Sequence, residues 1–154
     1  MSGLIVAAAW VGVIWLHKKF APPNVLNNYC EGRPWAAYMA TGCIVSLIVA
    51  GFLDSTFDWE RLPFAVSLYC FGSAINLRAL MDNPFFHPEI IAPPFRVRSG
   101  VYAYLDHPGY FGFLVRFLGL AYFIDTPFAT AIFAAYASFL AGRALRENQI
   151  LRGL

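Results

Sequence analysis

Hydrophobic residues along this chain are grouped into long runs that are separated by short polar segments. Two of the runs, residues 35–53 and 62–80, are about as long as a helix needs to be to cross a hydrocarbon core of about 30 Å. The pattern predicts an all-α bundle of five transmembrane helices, at about residues 3–16, 35–53, 62–80, 108–124 and 127–145.

The segments between the runs are rich in proline and polar residues. Residues 17–34 are predicted to form a loop at a membrane face, and residues 81–98, which contain four prolines, form a long connector. Asp125-Thr-Pro127 is short enough to make a tight corner, with Pro127 suited to the first turn of a helix. The last two spans should therefore form an antiparallel hairpin.

The overall composition favours the bilayer as the solvent of this chain. Of its 154 residues, 59% are hydrophobic and 13% are charged, and the mean hydropathy is +0.57. We expect a single multi-pass transmembrane domain over residues 1–154. The formal net charge of +2 is too small to indicate a nucleic-acid partner.

The three cysteines do not form a recognisable metal or disulfide pattern. Cys30, Cys43 and Cys70 are odd in number and lack the spacing of metal ligands, and two of them lie inside apolar runs. We expect free thiols that pack as small hydrophobic side chains, and we predict no metal site.

The positions of the basic residues predict the orientation in the membrane. With the N-terminus outside, nine of the eleven lysines and arginines fall in cytoplasmic segments, which is the side where they are favoured. Arg61 is then in an outer loop and Arg116 is within a span. The C-terminus is predicted to be inside.

Two polar stretches flank the predicted hairpin, residues 99–112 before it and residues 143–148 after it. If Thr126 is the apex, His107 lies 19 residues before it and Glu147 lies 21 residues after it. With a rise of about 1.5 Å per residue on both helices, His107 and Glu147 should lie at nearly the same depth. Helix geometry alone thus predicts that they meet at the cytoplasmic mouth of the hairpin.

The order of these residues resembles a family signature. A Ser-Gly-x-Tyr-x-Tyr lead-in from Ser99, then His107-Pro-x-Tyr-x-Gly112, an apolar hairpin and a closing Glu147, is similar to the isoprenylcysteine carboxyl methyltransferase and phospholipid methyltransferase family of integral-membrane enzymes. Asp106 stands where that pattern has Arg, and Asn148 where it has a second Glu. The family pattern also continues into a further polar segment, whereas this sequence stops at Leu154.

The resemblance implies transfer of a methyl group from S-adenosylmethionine to a lipophilic acceptor, either a prenylcysteine-type carboxylate or a lipid amine. It also implies the family's cofactor positions, which are His107, Pro108, Tyr110, Gly112 and Glu147.

A sulfonium cofactor needs carboxylates, hydrogen-bond donors and aromatic faces. Glu147 and Asp106 are candidates for the first, His107 and Arg143 for the second, and Tyr104 and Tyr110 for the third. We expect Glu147 and Arg143 to have the catalytic roles.

Other interpretations remain open at this stage. The chain could be a catalytically degenerate family member that serves as a structural subunit of a larger membrane complex, or an NADPH-using membrane reductase, or a small transporter. Asp106-His-Pro could be only a helix cap, with the glycines as packing contacts between spans.

Three further polar residues lie outside the two polar stretches. Arg116 should face the bundle interior, where Tyr136, Asn76 or a ligand is its candidate partner. His17 is interpreted as an interfacial anchor and His87 as loop packing.

Overall fold

The computed structural model describes residues 2–20, 35–53, 58–86 and 93–152, and all of their regular secondary structure is helical. A short 3₁₀ helix at Gly100–Ala103 precedes the last hairpin. The α-helices are α1 (Ser2–Phe20), α2 (Trp35–Leu53), α3 (Leu62–Asp82), α4 (Pro108–Ile124) and α5 (Pro127–Leu151).

Three helices are longer than the spans predicted for them. α1 continues four residues past residue 16 into the predicted loop, so the expectation of a loop from residue 17 was wrong there. Lys18 and Lys19 are good helix formers, and the Lys19 ammonium lies over the Trp15 ring, 4.8 Å from its centroid. α3 continues to Asp82, and α5 continues to Leu151 and so carries the polar residues near its end.

Most of the apolar surface of α3 and α5 faces away from the chain. α3 and α5 are long and apolar enough to cross a membrane, and α4 is a shorter apolar helix of 17 residues. Only 28% of the apolar window of α3, and 17% of that of α5, is buried inside the chain, whereas the core helix of a soluble protein is mostly buried. The fold is all-helical, with two candidate membrane-spanning helices among the described residues.

The closest helix contact is between α3 and α4, which share the most extensive interface in the described residues. A Cβ atom on Gly72 would lie 2.5 Å from the Gly112 carbonyl oxygen and 2.6 Å from the Arg116 backbone nitrogen. A Cβ atom on Gly112 would lie 2.6 Å from the Gly72 oxygen. Two facing glycines thus let the two backbones touch, as small residues do between membrane helices.

The remaining helices complete one bundle around this pair. α1 packs mainly on α2, and α5 packs on both α2 and α4. The centre is apolar and aromatic: the fully buried Phe117 ring of α4 stacks on the Tyr136 ring of α5, with centroids 4.4 Å apart.

The corner between α4 and α5 is held by local backbone chemistry and one ion-pair network. Asp125 ends α4 in the left-handed conformation at φ 48°, and the Thr126 hydroxyl accepts a hydrogen bond from the Ala129 N–H at 3.1 Å. Arg61, at the start of α3, forms ion pairs with Asp125 and Asp58. These contacts tie the corner to α3 and fix where α5 begins.

Arg116 lies in the bundle interior with an exposed fraction of 0%. Its guanidinium carbon lies 4.6 Å from the centroid of the Phe113 ring, 5.3 Å from that of Trp10 and 5.9 Å from that of Tyr69. The faces of these aromatic rings therefore stabilise the guanidinium charge through cation–π contacts.

Among the cysteines, Cys43 and Cys70 are free thiols, while Cys30 lies outside the described residues. His87 and the side chain of His17 also lie outside them.

Substituting Gly72 by Ala should destabilise the protein by about 1–3 kcal/mol, the usual cost of overpacking, because the added methyl would meet backbone atoms that cannot rotate away. The melting temperature in detergent measures the effect. Gly142→Ala is the matched control, because nothing lies within 4 Å of its added Cβ. Equal melting temperatures for the two variants would show that α3 and α4 are not in backbone contact.

Candidate functional site

The polar residues of the signature meet in a cleft where α4 begins and α5 ends. Its walls come from five parts of the chain: the segment after α3, the segment before the 3₁₀ helix, the 3₁₀ helix with the residues that follow it, the first turn of α4 and the last turns of α5. The lining includes polar and aromatic side chains, among them Asn83, Phe86, Arg96, Tyr102, Asp106, His107, Tyr110 and Glu147.

Glu147 is the centre of the polar contacts in this cleft. Its Oε2 lies 3.2 Å from His107 Nδ1, and its Oε1 lies 3.6 Å from Arg143 Nε and accepts a hydrogen bond from the Tyr110 hydroxyl. Arg143 Nε also donates to the Tyr110 hydroxyl oxygen at 2.6 Å. Three side chains from two helices therefore orient one carboxylate.

Arg143 and Glu147 share a helix face because they are four residues apart on α5. Arg143 is buried, with an exposed fraction of 8%, so the cluster is partly removed from water. An ion pair in such surroundings is screened less by salt than a surface pair. Its geometry is also more tightly defined, since Tyr110 bonds both partners.

His107 is held on both sides of its ring. Nδ1 faces Glu147, and Nε2 lies 3.0 Å from the Asn148 Oδ1 atom. The ring stacks on Tyr110 with a centroid distance of 5.5 Å. Hydrogen bonding to Glu147 raises the pKa of His107 and is only partly opposed by burial.

The backbone at His107 shows that this residue is more than a helix cap. His107 occupies the N-cap position of α4, but its side chain makes no capping hydrogen bond and turns to α5 instead. Pro108 follows at the first helical position and is fully buried.

The two glycines of the signature have different surroundings. Gly112 faces α3 and is a packing contact between helices, as the alternative interpretation proposed for the glycines. Gly109 lines the cleft next to Phe86, and its carbonyl oxygen accepts a hydrogen bond from Asn76 of α3 at 3.1 Å.

Two other predicted site residues lie farther out. The Asp106 side chain is 68% exposed at the edge of the cleft, where Oδ1 lies 2.5 Å from the Arg96 guanidinium. Tyr104 is 88% exposed and does not line the cleft.

Tyr102 and Asn83 line the cleft and were not among the predicted site residues. Tyr102 belongs to the lead-in of the signature, two residues before Tyr104, and its placement inside depends on the 3₁₀ turn that begins at Gly100. Asn83 comes directly after α3, in a connector whose course a hydropathy pattern does not define. The first tyrosine of the lead-in pattern could have identified Tyr102 as a site residue, whereas no sequence pattern pointed to Asn83.

The donor set in the cleft fits S-adenosylmethionine. Such a ligand carries a sulfonium, an ammonium and a carboxylate beside an aromatic base, so it needs a carboxylate, hydrogen-bond donors and ring faces. Glu147 supplies the carboxylate, Arg96 and Tyr102 are donors, and the stacked rings of His107 and Tyr110 are the faces.

Two apolar helices that are long enough to cross a membrane, α3 and α5, and a polar cleft at one end of the bundle are typical of a class: helical membrane proteins with a binding site at the end of a hairpin. The model of the isoprenylcysteine carboxyl methyltransferase (ICMT) family matches residues 66–152, more than half of the chain. The chain therefore belongs to this family, whose members are S-adenosylmethionine-dependent methyltransferases. No curated protein and no solved structure matches it.

The interaction of His107 with Glu147 predicts a pH-dependent stability. Because the folded-state pKa of His107 is raised, the stabilisation is fully present below the pKa of an unfolded histidine, about 6.5, and is lost as the pH rises through the raised folded pKa. The wild type should therefore melt at a higher temperature than Glu147→Gln, and the difference between the two melting temperatures should be largest at low pH. A difference that stays constant from about pH 5 to about pH 9 would contradict the assignment.

Proposed function

We propose that this protein is a membrane methyltransferase that uses S-adenosylmethionine to methylate a lipophilic acceptor. The observation that carries the proposal is the Glu147 carboxylate, oriented by His107, Tyr110 and Arg143 inside a cleft of a chain that belongs to a methyltransferase family. The cofactor supplies a methyl group on a sulfonium, which is already activated for displacement.

The residues of the chain then have the tasks of binding, orienting and excluding water. Glu147 is the group that favours a positive charge or a ribose hydroxyl in the cleft, and Arg143 keeps it in place from one helical turn away. His107 and Tyr110 offer parallel rings beside it. For an in-line displacement, this alignment is the main requirement placed on the protein.

Part of the lining of the cleft is suited to an apolar acceptor. The Phe85 and Phe95 rings meet edge to face there, with centroids 4.8 Å apart, and Ile150 of α5 adds an aliphatic side chain. These side chains favour a hydrocarbon tail such as a prenyl group or an acyl chain. They support either kind of acceptor, a prenylcysteine-type carboxylate or a lipid amine.

We also propose that all five helices cross the bilayer, with the N-terminus outside. The cleft then opens to the cytoplasm, where the soluble cofactor is present. The charge distribution supports this orientation, since most lysines and arginines fall on the side of the cleft.

Glu147→Gln should weaken binding of S-adenosylmethionine by about 1–3 kcal/mol, because a hydrogen bond to a charged group is lost. Calorimetry on the detergent-purified protein measures the change. Glu60→Gln is the matched control, since Glu60 is an exposed carboxylate before α3, away from the cleft. If the wild type does not bind S-adenosylmethionine at about millimolar concentration, the enzyme proposal fails, and the structural-subunit interpretation replaces it.

Cysteine labelling tests the topology. In a variant without the native cysteines, single cysteines at the exposed positions of Glu60 and Arg98 should react with an impermeant maleimide from opposite sides of the membrane. Labelling of both positions from the same side would contradict this topology, because the chain between them would then not end on the opposite side of the membrane.

A further inference from the structure

Tyr102 lies in the cleft, and its neighbours affect both the protonation and the hydrogen bonding of its hydroxyl. The residue lies in the 3₁₀ helix Gly100–Ala103, and its side chain lines the same cleft as Glu147. Burial raises its pKa to about 12, so the side chain remains a phenol with its hydrogen in place.

Asn83 bonds the oxygen of the Tyr102 hydroxyl and does not accept its hydrogen. The Phe85 backbone N–H donates to Asn83 Oδ1 at 2.9 Å, which identifies the oxygen side of the amide. The Asn83 Nδ2 group therefore faces Tyr102 and donates to its hydroxyl oxygen at 3.3 Å. Since an amide nitrogen does not accept hydrogen bonds, Asn83 leaves the phenol hydrogen for another partner.

The backbone around Tyr102 is anchored to the end of α3. Asp82 Oδ2 accepts a hydrogen bond from the Val101 N–H at 2.8 Å, and the Asp82 carboxylate is paired with Arg78 at 3.0 Å. Gly100 has a φ of +59°, and any Cβ atom there would overlap the Asp82 carboxylate. Asp82, the last residue of α3, thus anchors the backbone of the Tyr102 segment. Asn83, the next residue in sequence, bonds the Tyr102 hydroxyl.

We propose that Tyr102 is a ligand-binding residue that donates its phenol hydrogen to an oxygen of the molecule bound in the cleft. The shared chemistry is a carboxylate or carbonyl oxygen, which belongs either to the cofactor or to the lipophilic acceptor. This inference rests on the proposed function and adds to it a specific donor, opposite in character to the Glu147 carboxylate on α5.

The cleft therefore offers both kinds of polar group that a zwitterionic or carboxylate-bearing ligand needs. Tyr102 and Arg96 are donors, and Glu147 is an acceptor. A phenol adds a directional donor without a further positive charge, so it favours an oxygen at one position without reducing the attraction of Glu147 for a cation.

The direct test is Tyr102→Phe, which removes the hydroxyl and keeps the ring. Tyr104→Phe is the matched control, because Tyr104 is two residues away, 88% exposed and outside the cleft. Calorimetric affinity for S-adenosylmethionine and the KM for a farnesyl-thioether carboxylate are measured for both variants. Loss of a donor to a charged oxygen should weaken one of the two by about 10- to 100-fold.

The two measurements distinguish the source of the oxygen. A loss confined to S-adenosylmethionine affinity assigns Tyr102 to the cofactor, and a loss confined to KM assigns it to the acceptor. If wild type binds S-adenosylmethionine and Tyr102→Phe leaves both values within twofold, this inference is overturned while the proposed function stands. If wild type binds no S-adenosylmethionine, both fall.

Asn83→Asp tests the direction of the hydrogen without removing the phenol. The new carboxylate can still accept from Phe85 N–H, but its second oxygen would accept the Tyr102 hydrogen and divert it from the ligand. The expected loss is comparable to that of Tyr102→Phe, and the double variant should show no further loss. Full additivity in the double variant would mean that Asn83→Asp acts through its charge, and would contradict the proposed orientation.

Discussion

The backbone contact between Gly72 of α3 and Gly112 of α4 is the constraint on which the site depends. It brings the end of α3 beside the start of α4, where Asn76 can bond the Gly109 carbonyl and the residues after α3 can form one wall of the cleft. A side chain at either glycine would separate the helices. Because α4 also carries His107 and Tyr110, a shift of α4 would move the partners of Glu147 relative to the opposite wall.

The second requirement is that charges near an apolar bundle have partners. Leaving a buried charge unpaired is costly, and the Glu147 carboxylate is accordingly surrounded by the Arg143 guanidinium, the His107 imidazole and the Tyr110 phenol. Arg116, deeper in the bundle, is instead surrounded by aromatic rings of three helices. Charged groups of the described residues therefore have compensating contacts both at the cleft and inside the bundle.

Hydropathy and helical periodicity predict most of this fold, because long apolar runs ended by proline and polar residues leave few alternatives to helices. The helices begin at Trp35, Leu62, Pro108 and Pro127 as the sequence predicts, although their passage through a membrane stays a prediction. Equal rise along two helices also predicts that His107 and Glu147 lie at nearly the same depth, and the structure places them in contact. The position of Tyr102 could not be predicted this way, because it depends on the left-handed Gly100 and on the carboxylate of Asp82, 20 residues before Tyr102 in sequence.

The two departures from the family signature have a consistent electrostatic explanation. Asp106 replaces a basic residue, but it binds Arg96, whose guanidinium lines the cleft, so a positive group is kept there. Asn148 replaces a carboxylate next to His107 Nε2. A carboxylate there would require a proton on Nε2, whereas a carboxamide can serve as donor or acceptor. Glu147 is then the one acidic side chain in contact with the imidazole among the described residues, and its hydrogen bond is the largest of the interactions that raise the pKa of His107, to which Asn148 and Asp106 add.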